Sequence, residues 1–239
     1  MHLVRLSILP LLILLAACGQ SADPAPQADE TARRATPSAA NDDTPQVTVS
    51  GPERRILAFG DSLFAGYGVG VENSYPAKLE DALRARGIDA RIVNAGVSGD
   101  TSGAGHQRLP FVLDKQTDID LVILELGGND LLRGIPPAET RANFETMLGE
   151  LRERGIPVLL MGMRAPPNYG PEFQREFDAL YGDLAREYGA ELIPFWLETV
   201  YQRPELFQDD RIHPTEEGLQ VLAIDTVAQV AEALPEPDE

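Results

Sequence analysis

Residues 56–63 read Ile-Leu-Ala-Phe-Gly-Asp-Ser-Leu, and this stretch indicates the class of fold. A short aliphatic run that ends in Gly-Asp-Ser predicts a buried strand that breaks into a loop, with Ser62 at the carboxyl end of the strand. In an open α/β sheet, sites are built at that end of the strands. Asp and Ser are also ordinary turn and helix-cap residues, so the motif alone leaves a plain turn open.

Strand-like and helix-like patterns alternate through the rest of the chain, which is typical of a parallel sheet covered by helices on both faces. Further strands are predicted at residues 90–94, 121–126, 157–163 and 191–195, and helices after Ser74, at 102–114, 138–154 and 171–188, and from Pro214 onward. Proline suits the first turn of a helix. The predicted fold class is α/β, a three-layer α/β/α sandwich with a five-stranded parallel sheet.

Composition narrows the classes of function. The chain has 239 residues, of which 43% are hydrophobic and 24% charged, as in soluble globular proteins. A net charge of -18 without any basic stripe repels polyanions, so we expect no nucleic-acid partner. The single cysteine, Cys18, excludes a disulfide within the chain and a thiol cluster for a metal. Residues 53–239 have the size of one α/β domain.

The N-terminal residues predict export. Residues 1–17 place Arg5 before an apolar run, which is the charge order of a secretory signal peptide, and the run is too short to span a membrane. Residues 18–52 are rich in Ala, Pro, Asp, Gln, Ser and Thr, with almost no large apolar side chain. They therefore predict a disordered tether between the signal and the folded domain.

The junction Leu-Ala-Ala-Cys-Gly at residues 15–19 resembles the bacterial lipobox. This resemblance implies cleavage before Cys18 and lipidation of its side chain; the alternative is an ordinary signal peptide with an incidental cysteine. Gly19 after the cysteine resembles the pattern sent to the outer membrane. We therefore expect a protein held by its N-terminal lipid on the periplasmic side of the cell envelope.

Two glycine-rich loops follow predicted strands. The first, residues 94–101, reads Asn-Ala-Gly-Val-Ser-Gly-Asp-Thr, and its glycines can leave backbone N–H groups uncovered to stabilise a developing negative charge. The second, Gly-Gly-Asn-Asp at residues 127–130, adds the side-chain amide of Asn129. A plain turn has the same composition as either loop, and Asn129 also suits a turn or a cap.

A candidate general base follows from the histidines. The chain has three, of which His2 lies in the signal and His106 in a predicted helix without an acidic residue at useful spacing. His213 follows Asp210 by three residues, a spacing at which a carboxylate in a loop can accept from one imidazole nitrogen while the other faces a nucleophile. If a histidine acts as a base, it is therefore His213.

Several common signatures are absent from the sequence. No Gly-x-Ser-x-Gly elbow occurs, which argues against the usual α/β-hydrolase fold. The sequence also lacks His-Glu-x-x-His, Walker, calcium-loop and Gly-x-Gly-x-x-Gly motifs, so we expect no metal and no other cofactor.

Four blocks, in order, resemble those of the SGNH (GDSL-type) hydrolases: Gly-Asp-Ser-Leu at 60–63, Gly99, residues 127–130 and residues 210–213. The resemblance covers residues 54–234 and implies the flavodoxin-like strand order of that family. Several of these blocks, with residues 163–170, are similar to its bacterial arylesterase and acyl-CoA thioesterase I/lysophospholipase branch.

The resemblance also implies the roles of individual residues. Ser62 is expected to be the nucleophile, His213 the general base and Asp210 its orienting partner. The N–H groups of Ser62 and Gly99 and the side-chain amide of Asn129 are expected to form the oxyanion hole. The apolar segment after the Asn129 loop is expected to cover the acyl group with Leu131, Leu132 and Ile135. By the same resemblance, Ala165, Pro166 and Tyr169 are expected to form the opposite wall; packing within the loops is the alternative.

The expected activity is hydrolysis of carboxylic esters, and also of thioesters or lysophospholipids, by a monomer acting on a small-molecule or lipid ester. Ser98 is a rival nucleophile, although it sits beside the donor loop. An acetylesterase acting on polysaccharide, and a non-catalytic envelope binding protein, are the two alternative functions.

Overall fold

A computed structural model of the protein describes residues 49–236. The predictions for the signal peptide, for Cys18 and for most of the tether lie outside these residues. Five strands form one parallel sheet, β1 (Arg54–Gly60), β2 (Ala90–Gly96), β3 (Leu121–Leu124), β4 (Val158–Met161) and β5 (Glu191–Ile193). Their order is β2-β1-β3-β4-β5, which confirms the predicted flavodoxin-like sheet.

The helices fall at the predicted places between the strands, with short additional turns. In chain order they are α1 (Ser62–Ala65), α2 (Tyr75–Ala85), α3 (Ser102–Leu113), α4 (Gly128–Leu132), α5 (Pro137–Glu153), α6 (Pro171–Tyr188), α7 (Glu198–Tyr201) and α8 (Glu216–Ala233). Among the described residues, no helix combines the length and the apolar character needed to cross a membrane.

Alternation along β1 explains the three layers. Ile56 and Ala58 face one apolar cluster with residues of α2 and α8, whereas Leu57 and Phe59 face the other with residues of α3, α5 and α6. Successive side chains of a strand point to opposite faces, so a strand that is apolar throughout needs helices on both sides. The core therefore lies on both faces of the sheet.

The last helix begins two residues later than predicted. The structure starts α8 at Glu216 and caps it with Thr215, whose hydroxyl accepts from the N–H of Gly218. Pro214 instead pairs with Phe207 in an antiparallel bridge. Because this pairing holds Pro214 in an extended segment, the prediction that α8 starts at Pro214 is wrong.

The sheet order brings the site together. β1 lies between β2 and β3 and is parallel to both, so the chain leaves all three strands at the same edge of the sheet. Because the strands are parallel, their carboxyl ends meet there. Ser62, the loop of Gly99 and the loop of Asn129 follow these three strands.

Candidate active site

The nucleophile candidate lies at the sharp junction between β1 and α1. Asp61 precedes Ser62 and caps α1, with its Oδ1 accepting the N–H of Leu63 at 3.0 Å. The chain can turn here only because residue 60 lacks a side chain, since a Cβ on Gly60 would lie 2.8 Å from Oε2 of Glu125. This close packing holds Ser62 at the edge of the sheet, where it lines a pocket.

His213 joins Ser62 and Asp210 in one hydrogen-bonded line. Its Nε2 lies 2.8 Å from Oγ of Ser62, and its Nδ1 lies 2.7 Å from Oδ2 of Asp210. An ionised Asp210 can only accept, so Nδ1 carries the proton and Nε2 is free to accept from the serine hydroxyl. The structure thus brings together the three side chains that the sequence placed in a triad.

The Asp210 carboxylate is stabilised in its charged form by its own loop. Partial burial acts to raise its pKa, but hydrogen bonds from the N–H of His213, the imidazole and the N–H of Ile212 outweigh burial and lower the pKa to about 2. The two N–H groups lie 3.0 and 2.9 Å from Oδ1. Asp210 is therefore ionised throughout the neutral range and keeps the imidazole in one orientation.

Two neighbours hold the triad loop against the loop after β1. The ring of Tyr67 lies 4.2 Å from that of His213, centroid to centroid. Gln208 donates from Nε2 to the carbonyl oxygens of Tyr67 and Pro214, at 2.9 and 3.0 Å, and its N–H donates to the carbonyl of His213. These contacts set the position of the imidazole relative to Ser62.

The expected oxyanion donors surround Ser62 in the same pocket. Gly99 and Asn129 both line it, and the N–H of Ser62 belongs to the first turn of α1, where N–H groups lack helical acceptors. Gly99 has a φ of 87°, a left-handed conformation that favours glycine. Asn129 donates one amide N–H to Oδ2 of Asp61 at 2.9 Å, which leaves its second N–H available.

The pocket has a volume of about 490 Å³ and is predominantly apolar. Of the residues expected to bind the acyl group, Leu131, Leu132 and Pro166 line it. The remaining three do not line this pocket: Ile135, Ala165 and Tyr169.

Hydrogen bonds hold these three residues outside the lining of the pocket. Ala165 is buried; its N–H donates to Oδ1 of Asp178, and its carbonyl oxygen accepts from Nε2 of Gln174. Tyr169 turns its hydroxyl to the carbonyl of Leu131 at 2.8 Å. Ile135 folds back after the turn, and its N–H donates to Asp130.

Sequence reasoning missed much of the opposite wall. The additional lining residues include Tyr67, Met163, Phe195, Leu197, Tyr201 and Phe207. Met163, Phe195 and Leu197 follow β4 and β5, so the rule that sites form at the carboxyl ends of strands could have identified them. Tyr201 and Phe207 belong to the segment between β5 and the triad loop, where the sequence carries no comparable signal.

The rival assignments find no support in the geometry. Ser98 also lines the pocket, but Nε2 of His213 contacts the hydroxyl of Ser62. His106 lies on α3, as predicted.

A parallel α/β/α sandwich with a Ser-His-Asp line at its carboxyl edge, formed without a Gly-x-Ser-x-Gly elbow, defines the class of SGNH hydrolases. The chain belongs to the GDSL-like Lipase/Acylhydrolase family, whose family model matches residues 58–221.

Individual relatives agree with this assignment. An arylesterase from Vibrio mimicus is 43% identical over 164 residues, which cover 69% of this chain and 82% of the relative. The thioesterase 1/protease 1/lysophospholipase L1 of Escherichia coli K12 is 40% identical over 168 residues, 70% of this chain and 79% of the relative. A crystal structure of AlinE4, an SGNH-hydrolase family esterase, is similar with a TM-score of 0.66 and 61% identity, covering 78% of this chain and 99% of that one.

Proposed function

We propose that this protein is a serine esterase that hydrolyses carboxylic esters with apolar acyl groups through an acyl-enzyme. The observation that carries the proposal is the hydrogen-bonded line from Asp210 through His213 to Ser62, which opens into an apolar pocket. A serine hydroxyl is a poor nucleophile until a base takes its proton, and this line provides the base.

The geometry supports the following sequence of steps. Nε2 of His213 takes the hydroxyl proton as Oγ of Ser62 attacks the ester carbonyl carbon, while Asp210 stabilises the imidazolium. The carbonyl oxygen becomes an oxyanion that accepts hydrogen bonds from the N–H groups of Ser62 and Gly99 and the amide of Asn129. Collapse of this intermediate expels the leaving group, which takes the proton from His213. A water molecule then repeats the steps on the acyl-enzyme and frees the acid.

The acyl group is proposed to lie against Leu131, Leu132 and Pro166. An apolar wall binds alkyl or aryl groups by removing them from water, but offers little to a substrate that must be read through its hydroxyl groups. The Escherichia coli relative is named a thioesterase and lysophospholipase. Thioesters and lysophospholipids are therefore proposed as further substrates of this chain, which we propose acts as a monomer.

A fluorophosphonate probe tests the mechanism directly. Treatment of the purified protein is expected to give one adduct, on Ser62, and none in Ser62→Ala or His213→Ala variants that remain folded by circular dichroism. Mass spectrometry of the peptides measures the site. An adduct on Ser98, or no adduct on the folded wild type, would remove the triad assignment.

Substrate class is tested by rates on p-nitrophenyl acetate, butyrate and octanoate beside an acetylated sugar. The apolar wall predicts a higher kcat/KM for butyrate or octanoate than for the acetylated sugar. A preference for the sugar would instead identify a polysaccharide acetylesterase.

We also propose that the protein is exported and anchored by lipid at Cys18 on the periplasmic side of the envelope, in the outer membrane. The lipobox-like junction at residues 15–19 supports this location. The full chain, expressed in a bacterium that processes lipoproteins, is expected in the membrane fraction with a lipid-modified N-terminus, and Cys18→Ser is expected to abolish the modification. An unmodified Cys18 in the mature wild type would contradict the proposal.

A further inference from the structure

A fully buried carboxyl lies beneath the nucleophile and has no part in the triad. Glu125 follows β3, and its N–H donates to the carbonyl of Phe59 on β1. Its Oε2 accepts the N–H of Asp61 at 3.3 Å, while its Oε1 has no hydrogen-bond partner among residues 49–236. A charged carboxylate is strongly unfavourable in such surroundings, and an apolar side chain of the same size would fill the space without that cost. The carboxyl group therefore indicates a role beyond packing.

Asp61 connects this carboxyl group to the oxyanion hole. Only 1% of Asp61 is exposed, and each of its two oxygens has a defined partner. Oδ1 caps α1 at the N–H of Leu63, and Oδ2 accepts the side-chain N–H of Asn129 at 2.9 Å. Glu125, Asp61 and Asn129 thus form one connected chain that joins the ends of β3 and β1 to α4.

The electrostatics of the chain favour one negative charge, not two. Burial raises the pKa of Glu125 well above its usual value, and the negative charge of Asp61 raises it further. Burial also raises the pKa of Asp61, although hydrogen bonds from Leu63 and Asn129 oppose this shift. A second charge would face the oxyanion from behind Asn129 and oppose its formation, since like charges repel strongly at low dielectric.

The surroundings of Glu125 add little compensating charge. Within residues 49–236, the titratable groups that interact with Glu125, apart from Asp61, are Tyr75 on α2 and Tyr181 on α6, both fully buried. The guanidinium of Arg108 on α3 donates to the carbonyl of Gly60 at 3.3 Å and is paired with Asp100. His213 interacts with Asp61 from the triad side.

We propose that Glu125 is a positioning residue of the oxyanion hole, whose carboxyl group holds Asp61 and, through Asp61, the amide of Asn129. The inference rests on the proposed esterase function. The carboxyl group of Glu125 accepts from the N–H of Asp61, and Oδ2 of Asp61 accepts one amide N–H of Asn129, so the pair directs the second amide N–H at the substrate. Since Glu125 touches no substrate, it acts on the rate only through Asn129.

The test uses the full chain and two substitutions of similar volume. Glu125→Gln keeps an acceptor for the N–H of Asp61 and stays uncharged, whereas Glu125→Met fills the space without hydrogen bonding. Hydrolysis of p-nitrophenyl butyrate gives kcat and KM, and fluorophosphonate labelling gives the reactivity of Ser62. Thr226→Val removes a buried hydrogen bond to Tyr75, and because neither residue lines the pocket, it is the control for general destabilisation.

Glu125→Gln is expected to retain kcat at pH 7 to within about threefold. Glu125→Met is expected to lower kcat about tenfold or more with little change in KM, because losing a whole oxyanion donor lowers kcat by about 10²–10³-fold. In an Asn129→Ala background, Glu125→Met is expected to change kcat little. At alkaline pH, ionisation of Glu125 is expected to lower kcat in the wild type but not in Glu125→Gln.

Three outcomes would overturn the inference: a folded Glu125→Gln that loses more than tenfold in kcat, a Glu125→Met with wild-type kcat, or equal losses from Glu125→Met with and without Asn129. If Glu125→Met does not fold, Glu125→Gln and its pH profile still decide the matter. Failure of the esterase function itself is distinguishable, because the wild type would then neither label nor hydrolyse the ester.

Discussion

The two sides of the active site are held by different kinds of contact. On the histidine side, Asp210 and His213 are three residues apart and are joined by hydrogen bonds within one loop, where about a third of the Asp210 side chain is exposed. On the oxyanion side, Asn129 and Asp61 are 68 residues apart and meet where two neighbouring strands end. One side is local and solvated, while the other depends on the packing of the sheet.

The contrast extends to charge. In the exposed loop, hydrogen bonds from backbone N–H groups lower the pKa of Asp210, so this carboxylate remains charged at neutral pH. Beneath Ser62, burial raises the pKa of Asp61 and Glu125. A site that must stabilise both an imidazolium and an oxyanion thus uses a charged carboxylate behind the cation and a buried pair of reduced charge behind the anion donors.

The largest effect is expected from a substitution on the histidine side of the active site. Asp210→Asn should lower kcat by about 10³–10⁴-fold, because the amide no longer enforces the tautomer in which Nε2 of His213 accepts a proton. The melting temperature should change little, because the loop is exposed. Steady-state kinetics and thermal unfolding measure the two quantities.

The neighbouring exposed carboxylate supplies the control, and Asp209→Asn is expected to retain activity. A loss of less than tenfold in Asp210→Asn would mean that local backbone contacts alone orient the imidazole.

The next effect addresses the buried side. Asn129→Ala is expected to lower kcat by about 10²–10³-fold with the fold intact, because it removes one oxyanion donor. Asn143→Ala, which removes an amide donor to Ser102 on α3, is the matched control for losing a partly buried side-chain hydrogen bond. An unchanged kcat in Asn129→Ala would exclude Asn129 from the site.

The smallest expected effect is on the pH dependence of the free energy of unfolding, which differs in sign between the two sides of the active site. Because the folded-state pKa of Glu125 is raised, the native protein binds its proton more tightly than the unfolded chain. The free energy of unfolding of the wild type should therefore fall as pH rises above about 4.5, relative to Glu125→Gln, by up to about 1.4 kcal/mol per pH unit.

Asp210 is expected to change the free energy of unfolding with pH in the opposite direction. Its lowered pKa stabilises the fold above pH 3.8, the usual value, and that contribution is lost as pH falls through about 2. Urea unfolding of wild type, Glu125→Gln and Asp210→Asn between pH 2 and 9 measures both trends. Parallel stability curves for wild type and Glu125→Gln would mean that Glu125 ionises alike in both states.

Much of the fold and of the triad could be predicted from the sequence. Continuous apolar runs separated by helical patterns predicted five parallel strands and their helices, because a strand that is buried on both faces of a sheet must be apolar along its whole length. The spacing of Asp210 and His213 predicted their contact, because a turn can bring together two side chains that are three residues apart. Ser62 and Asn129 were predicted to meet because the loops after parallel strands share one edge.

The sequence by itself thus determined what depends on near neighbours and on regular repeats: the element order, the nucleophile loop and the Asp210–His213 pair. Only the tertiary structure decided which side chains form the pocket walls, where α8 begins, and that Glu125 lies beneath Asp61. In the sequence, Glu125 continues the apolar run of β3 and looks like part of a strand. Its contact with Asp61, and the pocket position of Phe207, arise from packing between segments far apart in the chain, which no local pattern records.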